Sequence, residues 1–168
     1  MEAGELAVYM LFACAFATLL QHPASPVSHL IASAPLRRVL YGLAMGAAIM
    51  AIIMSPWGKQ SGGRFNPAIT FTFYRQAKVG SWDVLFYSAG HFLARLSVSR
   101  SPRSCCGEPP SDPALRYRVT MPGVHGSAVA FIVELAISLV LMAAVLFVSN
   151  FSNLVRYTPY VVGAMVAT

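Results

Sequence analysis

Charge is scarce in this chain: Asp, Glu, Lys and Arg together make up 11% of its residues, against roughly a quarter in a soluble domain. Hydrophobic residues make up 57%, an excess that has to face something other than water. Cysteine is nearly absent. Of the three cysteines, Cys14 lies inside an apolar run and Cys105 and Cys106 are adjacent, so neither a disulfide framework nor C-x-x-C metal spacing is available. No metal and no cofactor is therefore expected. Basic residues outnumber acidic ones by 12 to 6, but no run of four occurs and the charges fall in gaps between apolar stretches. A nucleic-acid partner is excluded on that distribution, and the charges read as loop charges of a membrane protein. Ser, His and acidic residues form no nucleophile and base arrangement, so an enzyme is not expected.

The apolar stretches have membrane-crossing lengths. Ala3 to Gln21 gives 19 residues, or ~28 Å as a helix, close to the ~30 Å hydrocarbon thickness. No basic residue precedes it, so it is expected to stay in the membrane and not to be a cleaved leader. Pro23 and Pro26 break the helix, and a loop runs to Arg37 and Arg38. Val39 to Met54 follows without a charge, with Gly42 and Gly46 spaced to let a second helix approach closely. Trp82 to Val98 begins a third span that loses its apolar character at Arg95 and Arg100. Ala128 to Val148 is the clearest span, interrupted only by Glu134 and Ser138. A fifth apolar segment runs from Pro159 to Thr168, ~15 Å of helix and about half a membrane. An internal repeat is also visible: Glu5-Leu6-Ala7-Val8 returns as Glu134-Leu135-Ala136-Ile137. Three spans separate the copies, so they would run in opposite senses.

Between spans two and three lies Ser61-Gly62-Gly63-Arg64-Phe65-Asn66-Pro67-Ala68-Ile69-Thr70. Gly62 and Gly63 permit irregular backbone with exposed carbonyls, Asn66 is a preferred helix N-cap, and Pro67 is favoured at the first helical position. A helix from Pro67 to about Ala77 is too short to span, which makes it a re-entrant half-helix. Irregular backbone at membrane depth survives only where it is buried in protein or lines a wet cavity. The positive end of the half-helix then points inward.

This segment resembles the first-loop signature of the aquaporin, or major intrinsic protein, family, SGxHxNPAVT, and its position between the second and third spans fits as well. The resemblance implies an all-α membrane protein, a right-handed helical bundle with a re-entrant Asn-Pro-Ala half-helix. About four and a half of six spans are present, which makes the chain as given incomplete. It implies a first half-repeat over residues 1–93, an irregular segment over 94–127, and the start of a second half-repeat over 128–168. The implied function is a passive channel for water or small neutral solutes, glycerol among them, with a non-conducting fragment as the alternative. Asn66, Pro67 and Ala68 match the pore signature. Gly62, Gly63, Arg64 and Phe65 would supply a ladder of carbonyls that accept from water. Glu134, with Glu5 favoured over Glu2, resembles the buried glutamates that brace the re-entrant loops. Met45, or Ala44 one residue earlier, lies near where the family places a residue of its selectivity constriction. The implied setting is the lipid bilayer of the plasma or inner membrane, as a multi-pass protein that is a homotetramer when complete.

Three departures from the family stand out. Arg64 occupies the place of the usual His, and a permanent cation beside a single-file path would repel cations and obstruct water if it pointed inward. His91 stands where the family usually has Gln, and is expected to be a polar packing residue. The stretch after Leu93 departs from the family until about Asp112, as a compensated frameshift would, and no second Asn-Pro-Ala occurs. Basic residues do not settle the orientation by the positive-inside rule, so the family orientation is kept.

Overall fold

The computed structural model describes residues 1–23, 25–100 and 126–168. Its long helices are α1 (Glu2–Gln21), α3 (Ala34–Met54), α6 (Ser81–Arg100) and α7 (Gly126–Asn150). Between them come α2 (Pro26–Leu30), α4 (Pro56–Ser61) and α5 (Pro67–Arg75), and a 3-10 turn at Val155–Tyr157 leads into α8 (Thr158–Ala167). No strand occurs among the described residues. Helices α1, α3 and α7 are each long and apolar enough to cross a membrane.

The second span is longer than its uncharged core. Ser33 caps α3 by accepting from the Leu36 N–H, and Pro35 sits in the first turn where its missing N–H costs nothing. The helix therefore starts five residues before Val39 and reaches 21 residues, ~31 Å, which removes the shortfall that the uncharged stretch alone would leave. Arg37 is not wasted in this extension: its guanidinium donates to the Ser28 and Ile31 carbonyls and closes the end of α2.

The backbone of α6 stays helical past Leu93 to Arg100. Arg and Ser there do not oppose helix formation. What they oppose is transfer into lipid, and α6 is not among the three helices apolar enough to cross. The greater part of the irregular segment expected over 94–127, residues 101–125, lies outside the described residues, and with it the suspected frameshift beyond α6.

Helix α1 packs against α3 and α6, α3 against α8, α8 against α7, and α5 against α6. Two contacts are backbone-close. A β-carbon added at Gly42 would lie 2.5 Å from the Ala167 carbonyl oxygen, and one at Gly46 would collide with the Gly163 carbonyl. The Gly42 and Gly46 spacing thus seats α8 on α3, and Gly163 is the matching glycine on the other side, where a β-carbon would lie 2.9 Å from the Gly46 carbonyl. At the α1–α6 contact, a β-carbon at Gly90 would lie 3.1 Å from that of Ala3. Large apolar side chains such as Phe131, Ile132 and Leu139 face outward on α7, the surface that lipid requires.

Candidate functional site

The re-entrant segment begins where α4 ends. Ser55 holds the start of α4 by accepting from the Gly58 N–H, and Gly62 ends it with φ at 93°. Gly63 at 55° and Phe65 at 54° also lie in the left-handed region. Glycine occupies that region freely, but for Phe65 it is strained, and such strain persists only where the surroundings over-determine it.

The determinant is a buried carboxylate. Glu2, 1% exposed, accepts from the Arg64 N–H at 3.1 Å and from the Phe65 N–H at 3.2 Å. Gly63 donates to Ser61 Oγ at 3.1 Å. In a trans peptide the N–H and the preceding C=O point in opposite directions. Three N–H groups turned back toward α1 and Ser61 therefore turn the carbonyls of Gly62, Gly63 and Arg64 the other way. None of these three carbonyls accepts a hydrogen bond among the described residues.

Asn66 then caps α5. Its Oδ1 accepts from the Ala68 N–H at 2.9 Å, which leaves the amide NH2 without a partner among the described residues. Pro67 stands in the first turn, and Thr70, fully buried, donates to the Asn66 carbonyl at 3.2 Å. The half-helix is shorter than Ala77 by two residues: its last turn is closed by Lys78 N–H to the Phe73 carbonyl with Ala77 left-handed at φ 57°.

Glu5 and Glu2 both reach the loop segment, at different atoms. Glu5 reaches the segment through Ser61, whose hydroxyl donates to its carboxylate at 2.8 and 2.9 Å. Glu2 makes the backbone contacts and also meets His91 Nε2 at 3.1 Å. His91, 3% exposed, is thus a member of the brace on α6, and its Nδ1 is buried without a partner. Glu2 and Glu5 are three residues apart and share one helix face, so both reach the same loop. The signal for Glu2 was that spacing, and for His91 its depth inside an apolar span. Ser61 gave no signal beyond its place in the motif.

Glu134 is exposed on α7 and has no partner among the described residues. It does not meet the Gly62–Asn66 loop, and the second loop that a paired glutamate would brace has no counterpart in the sequence. Met45 is buried at 5% exposure and lies one turn before Ile49 on the same face of α3. Ile49 and Ile53 line the site's cavity, whereas Met45 and Ala44 do not.

That cavity, about 250 Å³ in volume, has a lining of two kinds. One part of the lining is Gly62, Gly63, Arg64, Phe65 and Asn66, the segment that carries the unpartnered Gly62, Gly63 and Arg64 carbonyls and the Asn66 amide. The rest of the lining is mostly aliphatic side chains of α3, α7 and α8, among them Ile53, Leu141 and Val162, with Tyr9, Phe73 and Thr158 beside them. Several waters fit such a volume. The loop segment can accept from and donate to them, while the aliphatic side chains offer no competing bond.

Arg64 belongs to the loop segment, but its side chain is held against it. The guanidinium donates to the Ser61 carbonyl at 3.1 Å and lies 4.0 Å from Glu2. Its carbon sits 5.7 Å from the Phe73 ring centre and 5.8 Å from that of Tyr87. No cluster of metal-ligating side chains occurs among the described residues.

Searches of curated proteins and of solved structures return no match. The family model described as Major intrinsic protein matches residues 3–168. Its members are channels for water or small solutes, not enzymes. A match that runs from α1 through the Asn-Pro-Ala half-helix to α8, on an all-helical chain with three membrane-length apolar helices, establishes an integral membrane protein that belongs to the major intrinsic protein family.

Proposed function

We propose that these residues form one half of a single-file path for water or small neutral solutes, with the Gly62–Asn66 segment as its polar wall. The observation that carries this reading is a cavity lined both by the segment with unpartnered carbonyls and the free Asn66 amide and by mostly aliphatic side chains. A water passing the loop can donate to the Gly62, Gly63 and Arg64 carbonyls and accept from Asn66, which replaces bulk hydration without trapping the molecule. The positive end of α5 and the Asn66 donor both oppose a proton or cation at that point. The setting we propose is the plasma or inner membrane, as a homotetramer, with Glu134 bracing a second loop.

The test is osmotic shrinkage of proteoliposomes carrying a six-span channel, made by continuing these residues with the closing spans of a family member. Asn66→Asp replaces a donor with an acceptor-only carboxylate. Water flux should fall about tenfold, the equivalent of one lost hydrogen bond of ~1.4 kcal/mol in the barrier. Unchanged flux at equal protein density would remove Asn66 from the path.

The 168 residues expressed alone should give shrinkage no faster than empty vesicles. A water path needs walls on every side, and unpaired backbone groups facing lipid cost several kcal/mol each. Rapid flux from this chain alone would show that copies of it complete one another's walls.

A further inference from the structure

We infer that Phe73 and Tyr87 act as a two-ring clamp that keeps the Arg64 guanidinium out of the water path. The inference rests on the pore reading above and assigns a task to residues that the reading leaves idle. Arg64 carries a long, permanently charged side chain on the polar wall of a cavity of about 250 Å³. Extended across that space, it would place its donors on the carbonyls meant for water and fill the cross-section. It is instead folded back along the loop, with NH1 on the Ser61 carbonyl at 3.1 Å.

One charge-assisted hydrogen bond, on NH1 alone, leaves the rest of the guanidinium untethered beside a wet cavity. The carboxylate nearest to it is a poor competitor, because Glu2 stands 4.0 Å off and already accepts from two backbone N–H groups and meets His91. What remains is aromatic. Phe73 from the half-helix and Tyr87 from α6 both place their rings within 5.8 Å of the guanidinium carbon, inside the ~6 Å range over which a ring attracts a cation. The two rings come from elements packed on each other, so their separation is set by the fold and not by the loop. Lys78 shares the Phe73 ring at 5.6 Å and donates to Asn150 at 2.6 Å, so Tyr87 is the more selective of the two rings for Arg64.

The test is epistasis in the six-span channel, read as osmotic water permeability at equal protein density. Tyr87→Leu keeps bulk and removes the ring. It should lower permeability by about two- to fivefold, the population shift expected when one ring contact is lost. Tyr87→Phe should retain the parental rate. In an Arg64→Ala background Tyr87→Leu should have no effect, since no guanidinium remains to be held. Phe73→Leu should repeat the pattern, and it carries the test if the Tyr87 variant fails to reach the membrane. An equal loss from Tyr87→Leu with and without Arg64 would make the ring a packing element and overturn the clamp alone, as would no loss in either background. A parental channel without water flux would overturn the pore reading and the clamp with it.

Discussion

Gly46→Leu should detach α8 from α3 and cost about 3 kcal/mol or more, at the upper end of the usual overpacking penalty. The obstacle is backbone: even a β-carbon at Gly46 collides with the Gly163 carbonyl and would lie 2.9 Å from the Ala167 β-carbon. A flexible side chain would yield, but a carbonyl inside a helix cannot turn away without losing its own hydrogen bond. Helix α8 has ten residues and rests on α3 and α7, so it has little else to hold it. Gly4→Ala is the matched control, because nothing lies within 4 Å of a β-carbon there. That change should stabilise α1 by up to about 1 kcal/mol through helix propensity. Thermal unfolding in detergent separates the two, and trypsin cleavage after the exposed Arg156 just before α8 should accelerate only in Gly46→Leu. If Gly46→Leu unfolds at the parental temperature, α8 does not pack on α3 through these glycines.

The Gly42 and Gly46 contact was legible because small residues four apart let a second helix approach closely, although the spacing did not name α8 as the partner. The Ser61–Thr70 segment was legible for a similar reason. Asn66, Pro67 and the two glycines act locally, through a cap, a fixed φ and left-handed backbone, and local chemistry travels with the sequence. The bracing was less so. Glu2 and Glu5 present the same face of α1, and which of them meets the Arg64 and Phe65 N–H groups depends on how far α1 slides along α6. That depth is set by Ala3 against Gly90, a pairing between residues far apart in the chain. The internal repeat pointed to Glu5 because it aligned sequence with sequence, whereas the loop responds to axial position. On the same face of α3 as Met45, the cavity lining falls one and two turns further on, at Ile49 and Ile53. The start of α3 lies earlier than charge suggests for a different reason: Arg37 and Arg38 read as loop residues, while the Ser33 cap and Pro35 have already begun the helix.

Glu2→Gln should loosen the re-entrant loop, while Glu5→Gln should leave it nearly unchanged, the reverse of the order that the repeat suggests. Ser61 gives Glu5 a single O–H, and an amide oxygen can accept that as well as a carboxylate can. Glu2 faces donors at both oxygens. Oε1 accepts from the Arg64 N–H, and Oε2 accepts from the Phe65 N–H and meets His91. Whichever way a glutamine amide turns, its NH2 confronts a backbone N–H that has no other acceptor. Leaving one buried donor unmade costs about 1–3 kcal/mol. Glu2→Leu, which strands both N–H groups and the imidazole, should cost on the order of 3–5 kcal/mol. Hydrogen exchange across Gly62–Asn66 reads the effect at the loop itself, where Arg64 and Phe65 should lose protection first in Glu2→Gln. In the six-span channel the same variant should lower water flux, since Phe65 is left-handed at φ 54° and relaxes once its N–H is released, carrying the Arg64 carbonyl off the wall. Faster exchange in Glu5→Gln than in Glu2→Gln would return the brace to Glu5 and make Glu2 a buried partner of His91 alone.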